Sequence, residues 1–166
     1  MDEETNGVRA RLRSAVQLDA KDRTLLALLA EDAARSYADL GESIALSAPA
    51  THERVKRLKR SGAITGTVAK LDGNAIGHHL LAFVHVSTED WRAKGAFLRM
   101  HEEPAVEEVH TVTGDACILM KVRCADAQAL EDLLARIYAI DGVRGTRSYI
   151  ALSTYLERGP QAEVAD

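Results

Sequence analysis

Arg54, Lys56, Arg57, Lys59 and Arg60 put five cations into seven consecutive positions, with Glu53 as the one acid beside them. Cations at that density neutralise a polyanion, and on a helix they match the phosphates that flank a groove of duplex DNA. A solvated charged face is the plainer reading of the same residues. Elsewhere the residue types that could do chemistry are sparse. Cys117 and Cys124 fall in one expected strand, where seven residues at roughly 3.3 Å each separate them by about 23 Å, far beyond the ~7 Å reach of a disulfide. Both read as thiols, Cys117 as a small buried apolar residue. His52, His78, His79, His85, His101 and His110 show no paired spacing with cysteine or carboxylate, so no metal site is expected. Without a nucleophile–base set, a phosphate loop or a carboxylate pair, the chain has no expected catalytic residues and does not read as an enzyme.

The cations need a rod to display them. Ser47 is a good N-cap, Pro49 falls in the first turn where its missing N–H costs little, and Ser61-Gly62 is a glycine stop. Between them Thr51, Val55 and Leu58 make an apolar stripe at helical spacing. A shorter helix over Tyr37 to Ala45 precedes it, expected to bury Ala38, Leu40 and Ile44. Another of about 13 residues starts at Asp19 or Ala20, with Leu25, Leu26, Leu28 and Leu29 as its apolar face. A short helix, a tight turn and a basic helix suit the major groove. Ser47, Ala50, His52 and Arg54 lie early in the basic helix, where base edges are reached. Lys59 and Arg60 lie late and are expected at phosphate, and Arg57 could serve either role.

Beyond Gly62 the pattern changes. Ala63 to Leu71 alternates and reads as a strand leaving the head, and Asp72-Gly73-Asn74 reads as a turn. Then come a strand over Leu80–Ser87, a helix over Trp91–His101 and a strand over Ala105–Thr113. A tight Gly114-Asp115 hairpin leads to a strand over Ala116–Cys124. A helix capped by Asp126 runs to Ala139, and a last strand runs from Val143 to about Leu156. The order βαββαβ is that of an α+β, ferredoxin-like sandwich. Two helices cover one face of such a sheet, yet both faces of 80–87 are apolar. A second copy of the chain is the expected cover, so a homodimer is predicted. The layout is a flexible tail over 1–17, a helix-turn-helix over 18–66, a strand and linker over 67–78, the sandwich over 79–156, and a tail over 157–166.

With 46% hydrophobic and 28% charged residues, the 166-residue chain can bury a core. Its net charge of −4 argues against nucleic acid until the distribution is examined. From Lys21 to Gly66 there are eight Lys/Arg against six Asp/Glu; from Gly73 onward there are nine against fourteen. Anion contact is thereby confined to the head. With no apolar run near ~18 residues and no secretory pattern at the start, the chain is expected in the cytoplasm, with no membrane partner.

In order and spacing, Leu18-Asp19-Ala20-Lys21-Asp22-Arg23, Leu46-Ser47, Glu53-Arg54-Val55, Arg57-Leu58 and Gly62-Ala63-Ile64 resemble the Lrp/AsnC family, the leucine-responsive or feast/famine regulators. Pro104-Ala105-Val106, Val112-Thr113-Gly114-Asp115, Leu119, Lys121, Gly142-Val143 and Thr146-Arg147-Ser148-Tyr149 extend the likeness through the second half. The resemblance covers about Leu18 to Leu156. It implies a winged helix-turn-helix joined to an effector-binding (RAM) domain that pairs through its sheet, and a nucleoid-associated, sequence-specific transcriptional regulator. Dimers assembling to octamers, double-stranded DNA as partner and a small effector, usually an amino acid, follow from the same resemblance; a cofactor does not. Thr113, Gly114, Asp115, Cys117, Thr146 and Ser148 then become the expected effector contacts, although Gly114-Asp115 taken alone is an ordinary hairpin turn. Two other functions share this pattern: a sirohaem decarboxylase of the same fold, and a chromatin-organising DNA-binding protein.

Three departures from the family's pattern bear on function. Ala45 stands at the turn before Leu46-Ser47 where glycine is usual, at about 1 kcal/mol if the backbone is left-handed there. Ala48-Pro49-Ala50-Thr51-His52 replaces the commoner first turn and implies a base preference of its own. Gly114-Asp115-Ala116-Cys117-Ile118 lacks the family's second aspartate and both aromatics, which favours a more apolar ligand.

Overall fold

The computed structural model describes residues 15–89, 97, 100 and 102–162. Two compact units divide the chain: one runs through Ala69 and takes in the chain again from Glu157, and the other is Lys70–Leu156.

The first unit holds α1 (Ala20–Glu31), α2 (Tyr37–Ile44) and α3 (Ala48–Ser61). α1 starts on a reciprocal capping box. The Asp19 carboxylate accepts the Asp22 N–H at 2.7 Å, and the Asp22 carboxylate accepts the Asp19 N–H at 3.2 Å. Ser36 caps α2 by accepting the Asp39 N–H at 3.1 Å. Leu25, Leu40, Ile44, Val55 and Leu58 form the core, with Thr51 buried beside them and its hydroxyl donating to the Ser47 carbonyl at 3.0 Å. Ala38, expected inside, is exposed. It lies two residues, about 200°, from Leu40 around the helix, so the stripe Leu40, Gly41, Ile44 turns it outward. Gly41 is required there, because a Cβ would sit 2.5 Å from the Leu46 carbonyl oxygen. α2 ends at Ala45, left-handed at φ 51, ψ 57, and α3 ends at Gly62, φ 80.

Residues 63–71 do not form the expected strand. A strand exists only where neighbouring backbone takes its hydrogen bonds, and Val68 and Leu71 are left exposed. A cavity of about 720 Å³ in this unit is bordered by Leu26, Leu29, Val55 and Ile64, with Lys59 and Pro160 also on its wall.

The second unit holds β1 (Leu80–Thr88), β2 (Val106–Thr111), β3 (Ile118–Cys124), α4 (Ala127–Tyr138) and β4 (Val143–Ile150). The sheet is antiparallel in the order β2-β3-β1-β4. Ala82, Val84 and Val86 of β1 and Ile118, Met120, Val122 and Cys124 of β3 meet Leu130, Leu133 and Ile137 of α4 in one core. Asp126 caps α4 by accepting the Ala129 N–H at 2.9 Å. The helix expected over Trp91–His101 falls outside the described residues except for Phe97 and Met100, which pack on the same core.

Three strand ends differ from expectation by two residues or more. β4 stops at Ile150 rather than near Leu156, because β1 begins at Leu80 and the last bond across is Ala151 N–H to the Leu81 carbonyl, 2.9 Å. The tight Gly114-Asp115 hairpin is instead a six-residue connection, 112–117, narrowed by Val112 N–H donating to the Cys117 carbonyl at 3.1 Å. Among the described residues no helix is long and apolar enough to cross a membrane.

Candidate nucleic-acid interface and effector loop

α3 shows two sides. Thr51, Val55 and Leu58 face inward, while Ser47, Ala50, His52, Lys56, Arg57, Lys59 and Arg60 are exposed. The Ser47 hydroxyl makes no capping bond, so it stays available to an outside partner. The Tyr37 ring stands edge-on to His52, centroids 4.9 Å apart at 69°, fixing the imidazole on the outer surface. Lys56 pairs with Glu53 at 3.6 Å. Lys59 and Arg60 occupy the last turn, where cations also oppose the negative end of the helix dipole.

Arg54 and Arg57 are placed differently. Arg54 donates to Asp19 at 2.6 Å and to Asp22 at 2.7 Å; Arg57 donates to both oxygens of Asp22 at 2.7 Å. Asp22 is 1% exposed, so its charge is compensated almost wholly by these two guanidinium groups and the Asp19 N–H. The Arg54 side chain is 20% exposed and that of Arg57 53%, so Arg57 keeps a free edge and Arg54 little. The hydrogen bond from Arg54 holds the Asp19 carboxyl below its ordinary range, and the Asp19 carboxylate raises Arg54 in return. Of the five cations, two are thus tied to α1. The sequence reading missed Asp19 and Asp22 as anchors, although a signal existed. Asp22 stands three residues before Leu25, on the buried stripe, and a carboxylate there must find a cation.

In the second unit Asp115, in the 112–117 connection, accepts from Arg147 of β4 at 3.3 Å. Thr113, Gly114 and Asp115 are exposed, and Gly114 takes φ 123, which favours glycine. Cys117, expected as a buried strand residue, is exposed; Ala116 takes the buried place, because the strand begins only at Ile118. The Cys117 N–H donates to the Val86 carbonyl at 3.1 Å, and Thr146 pairs with Val86 from the other side. The connection and Thr146 therefore share one end of the sheet. Ser148 pairs with Val84, one pleat repeat further along. Side-chain parity sends Thr146 and Ser148 to one face and Arg147 to the other, so the group that meets Asp115 is Arg147, which the sequence reading did not select. Cys124 is buried, which pushes its thiol pKa up and leaves it a core residue.

The sheet face away from α4 carries Phe83, 38% exposed, and Tyr149, 48% exposed. His85 lies edge-on to Tyr149 at 5.2 Å, and its buried Nδ1 has no hydrogen-bond partner among the described residues.

An AsnC-type helix-turn-helix domain matches residues 18–59, and an Lrp/AsnC ligand binding domain matches residues 81–161. The HTH-type transcriptional regulator LrpA of Mycobacterium tuberculosis is 38% identical over 139 residues, covering 83% of this chain and 92% of that protein. The HTH-type transcriptional regulator FL11 of Pyrococcus horikoshii is 30% identical over 142 residues, covering 86% and 94%. A feast or famine regulatory protein from M. tuberculosis, solved with L-methionine, superposes at TM-score 0.82 with 36% identity over 89% of this chain and all of that one. The cationic helix-turn-helix, the four-stranded antiparallel sheet and these likenesses agree, and the chain belongs to the Lrp/AsnC family of DNA-binding, ligand-responsive transcriptional regulators.

Proposed function

We propose that two copies of this chain pair through the open faces of their sheets, present two α3 helices to double-stranded DNA, and change that hold when an amino-acid-like effector reaches the 112–117 connection. The observation that carries the DNA reading is the outward side of α3. Ser47, Ala50 and His52 lie at its N-terminal end, where base edges are read, and Arg57, Lys59 and Arg60 lie later, where phosphate passes. Arg54 supports the helix from behind. Salt titration of binding to a duplex selected by the wild-type protein tests this. Replacing Lys59 and Arg60 together by Ala should flatten the slope of log K against log salt by about 1–2. An unchanged slope would refute the phosphate role.

For the effector, the Asp115–Arg147 pair offers opposite charges 3.3 Å apart on an exposed surface. A zwitterion fits such a pair, its carboxylate to the guanidinium and its ammonium to Asp115. Cys117, exposed beside it, offers a thiol rather than a second carboxylate and favours a less polar side chain. Relatives from M. tuberculosis and Neisseria meningitidis solved with L-methionine lend support. L-methionine at a hundred times its dissociation constant would stabilise the folded protein by about 2.7 kcal/mol. A rise in melting temperature that disappears in Asp115→Asn and Arg147→Gln is expected. A rise that survives both substitutions would place the ligand elsewhere.

A further inference from the structure

Asp22 touches no outward surface of α3, yet it holds two of the five cations of that helix. Capping α1 does not require a charge there, since Asp19 accepts the Asp22 N–H and a neutral Asn in place of Asp22 still offers an oxygen to the Asp19 N–H. Placed 1% exposed beneath Arg54 and Arg57, the carboxylate has two effects. It fixes the roll of α3 against α1 through three charge-assisted bonds of 2.7 Å. It also offsets guanidinium charge that could meet phosphate, nearly all of it at Arg54 and part of it at Arg57, which keeps a free edge. Phosphate contact raises affinity for every duplex alike, whereas discrimination comes from the base edges. Charge withheld from phosphate therefore lowers affinity for every duplex, and the fixed roll of α3 keeps Ser47, Ala50 and His52 aimed at base edges, so the ratio of selected to random affinity rests on the roll.

We propose that Asp22 is a specificity-determining positioning residue, which acts through Arg54 and Arg57 to keep non-specific DNA binding low while it sets the angle of the reading helix. The proposal rests on the DNA-binding reading of α3. It concerns the ratio of specific to non-specific affinity rather than binding itself.

The test compares full-length wild type with Asp22→Asn, which keeps the shape and removes the charge. Each binds a duplex selected by the wild type and a random duplex, across a salt series. Asp22→Asn should bind the random duplex on the order of tenfold tighter at low salt, with a slope steeper by about 1–2, and its ratio of selected to random affinity should fall. Equal loss on both duplexes at the wild-type slope would make Asp22 a folding residue only and overturn the proposal, as would an unchanged ratio. Asp19→Asn serves as a second variant, because Asn caps a helix as well as Asp and the site is half exposed, so folding is preserved if Asp22→Asn does not fold. It removes one of the two carboxylates that hold Arg54 and leaves the bond to Asp22, so it loosens Arg54 in part and should steepen the slope by less than Asp22→Asn does, by a fraction of about 1; a wild-type slope there also overturns the proposal. Failure of the wild type to bind any duplex would instead sink the DNA reading.

Discussion

Ala45 is a local cost that the fold accepts. At φ 51 its Cβ crowds the following carbonyl, about 1–2 kcal/mol for a residue other than glycine, while the neighbouring Gly41 is held by contact with the Leu46 carbonyl. Ala45→Gly relieves that strain and gives back about 0.5–1 kcal/mol to the freedom of the unfolded chain. The expected net gain is about 0.5–1 kcal/mol, read as a higher denaturant midpoint at unchanged m-value. A lower midpoint would mean that the Ala45 methyl packs favourably in the turn. The left-handed turn was legible through the family resemblance, whose pattern has glycine where Ala45 stands. The engagement of Arg54 was not legible, because residues 32 and 35 positions apart carry no spacing rule that pairs them.

At the scale of elements, the helix-turn-helix is pinned by a four-charge cluster at the start of α1. Asp19 has its carboxyl lowered by the Arg54 hydrogen bond, so the charged form is favoured in the folded state. Its contribution is fully present above the ordinary aspartate value of 3.8 and is lost as pH falls through the lower folded value. Acid titration followed by helical circular dichroism should show unfolding below about pH 4, and Asp19→Asn should be less sensitive there. Salt should blunt the effect, because Asp19 is half exposed. An acid limb identical in Asp19→Asn would assign the transition to other carboxylates. Helix boundaries were readable to within a residue or so, because caps and stops are local chemistry: Ser47, Gly62 and Asp126 flank their helices as expected, and α1 starts at the Asp19-Ala20 step. Strand ends were not, because a strand ends where its neighbour ends, and that neighbour is distant in sequence.

For the whole molecule, the open sheet face is the feature that a single chain leaves unfinished. Phe83 and Tyr149 remain partly exposed, and the His85 Nδ1 is buried without a partner among the described residues. In the proposed dimer, Phe83→Asp would put a charge at the centre of the paired faces. A cost of about 3 kcal/mol corresponds to a dimer roughly a hundredfold weaker. Sedimentation over a concentration series should show dimers for the wild type and monomers for the variant at low micromolar protein. Equal masses would move the interface off this face.

The chain alone determined its three N-terminal helices, the four strands of the second unit with a helix before the last of them, and the concentration of positive charge on α3. All of these follow from periodicity, caps and local charge, which act between residues close in sequence. Only the tertiary structure decided that Arg54 and Arg57 turn back to Asp22, that Cys117 is outside and Ala116 inside, and that Arg147 rather than Thr146 or Ser148 meets Asp115. Each of those outcomes depends on strand register or helix roll. Register and roll are settled by the burial of the whole core, and no window of sequence contains the whole core.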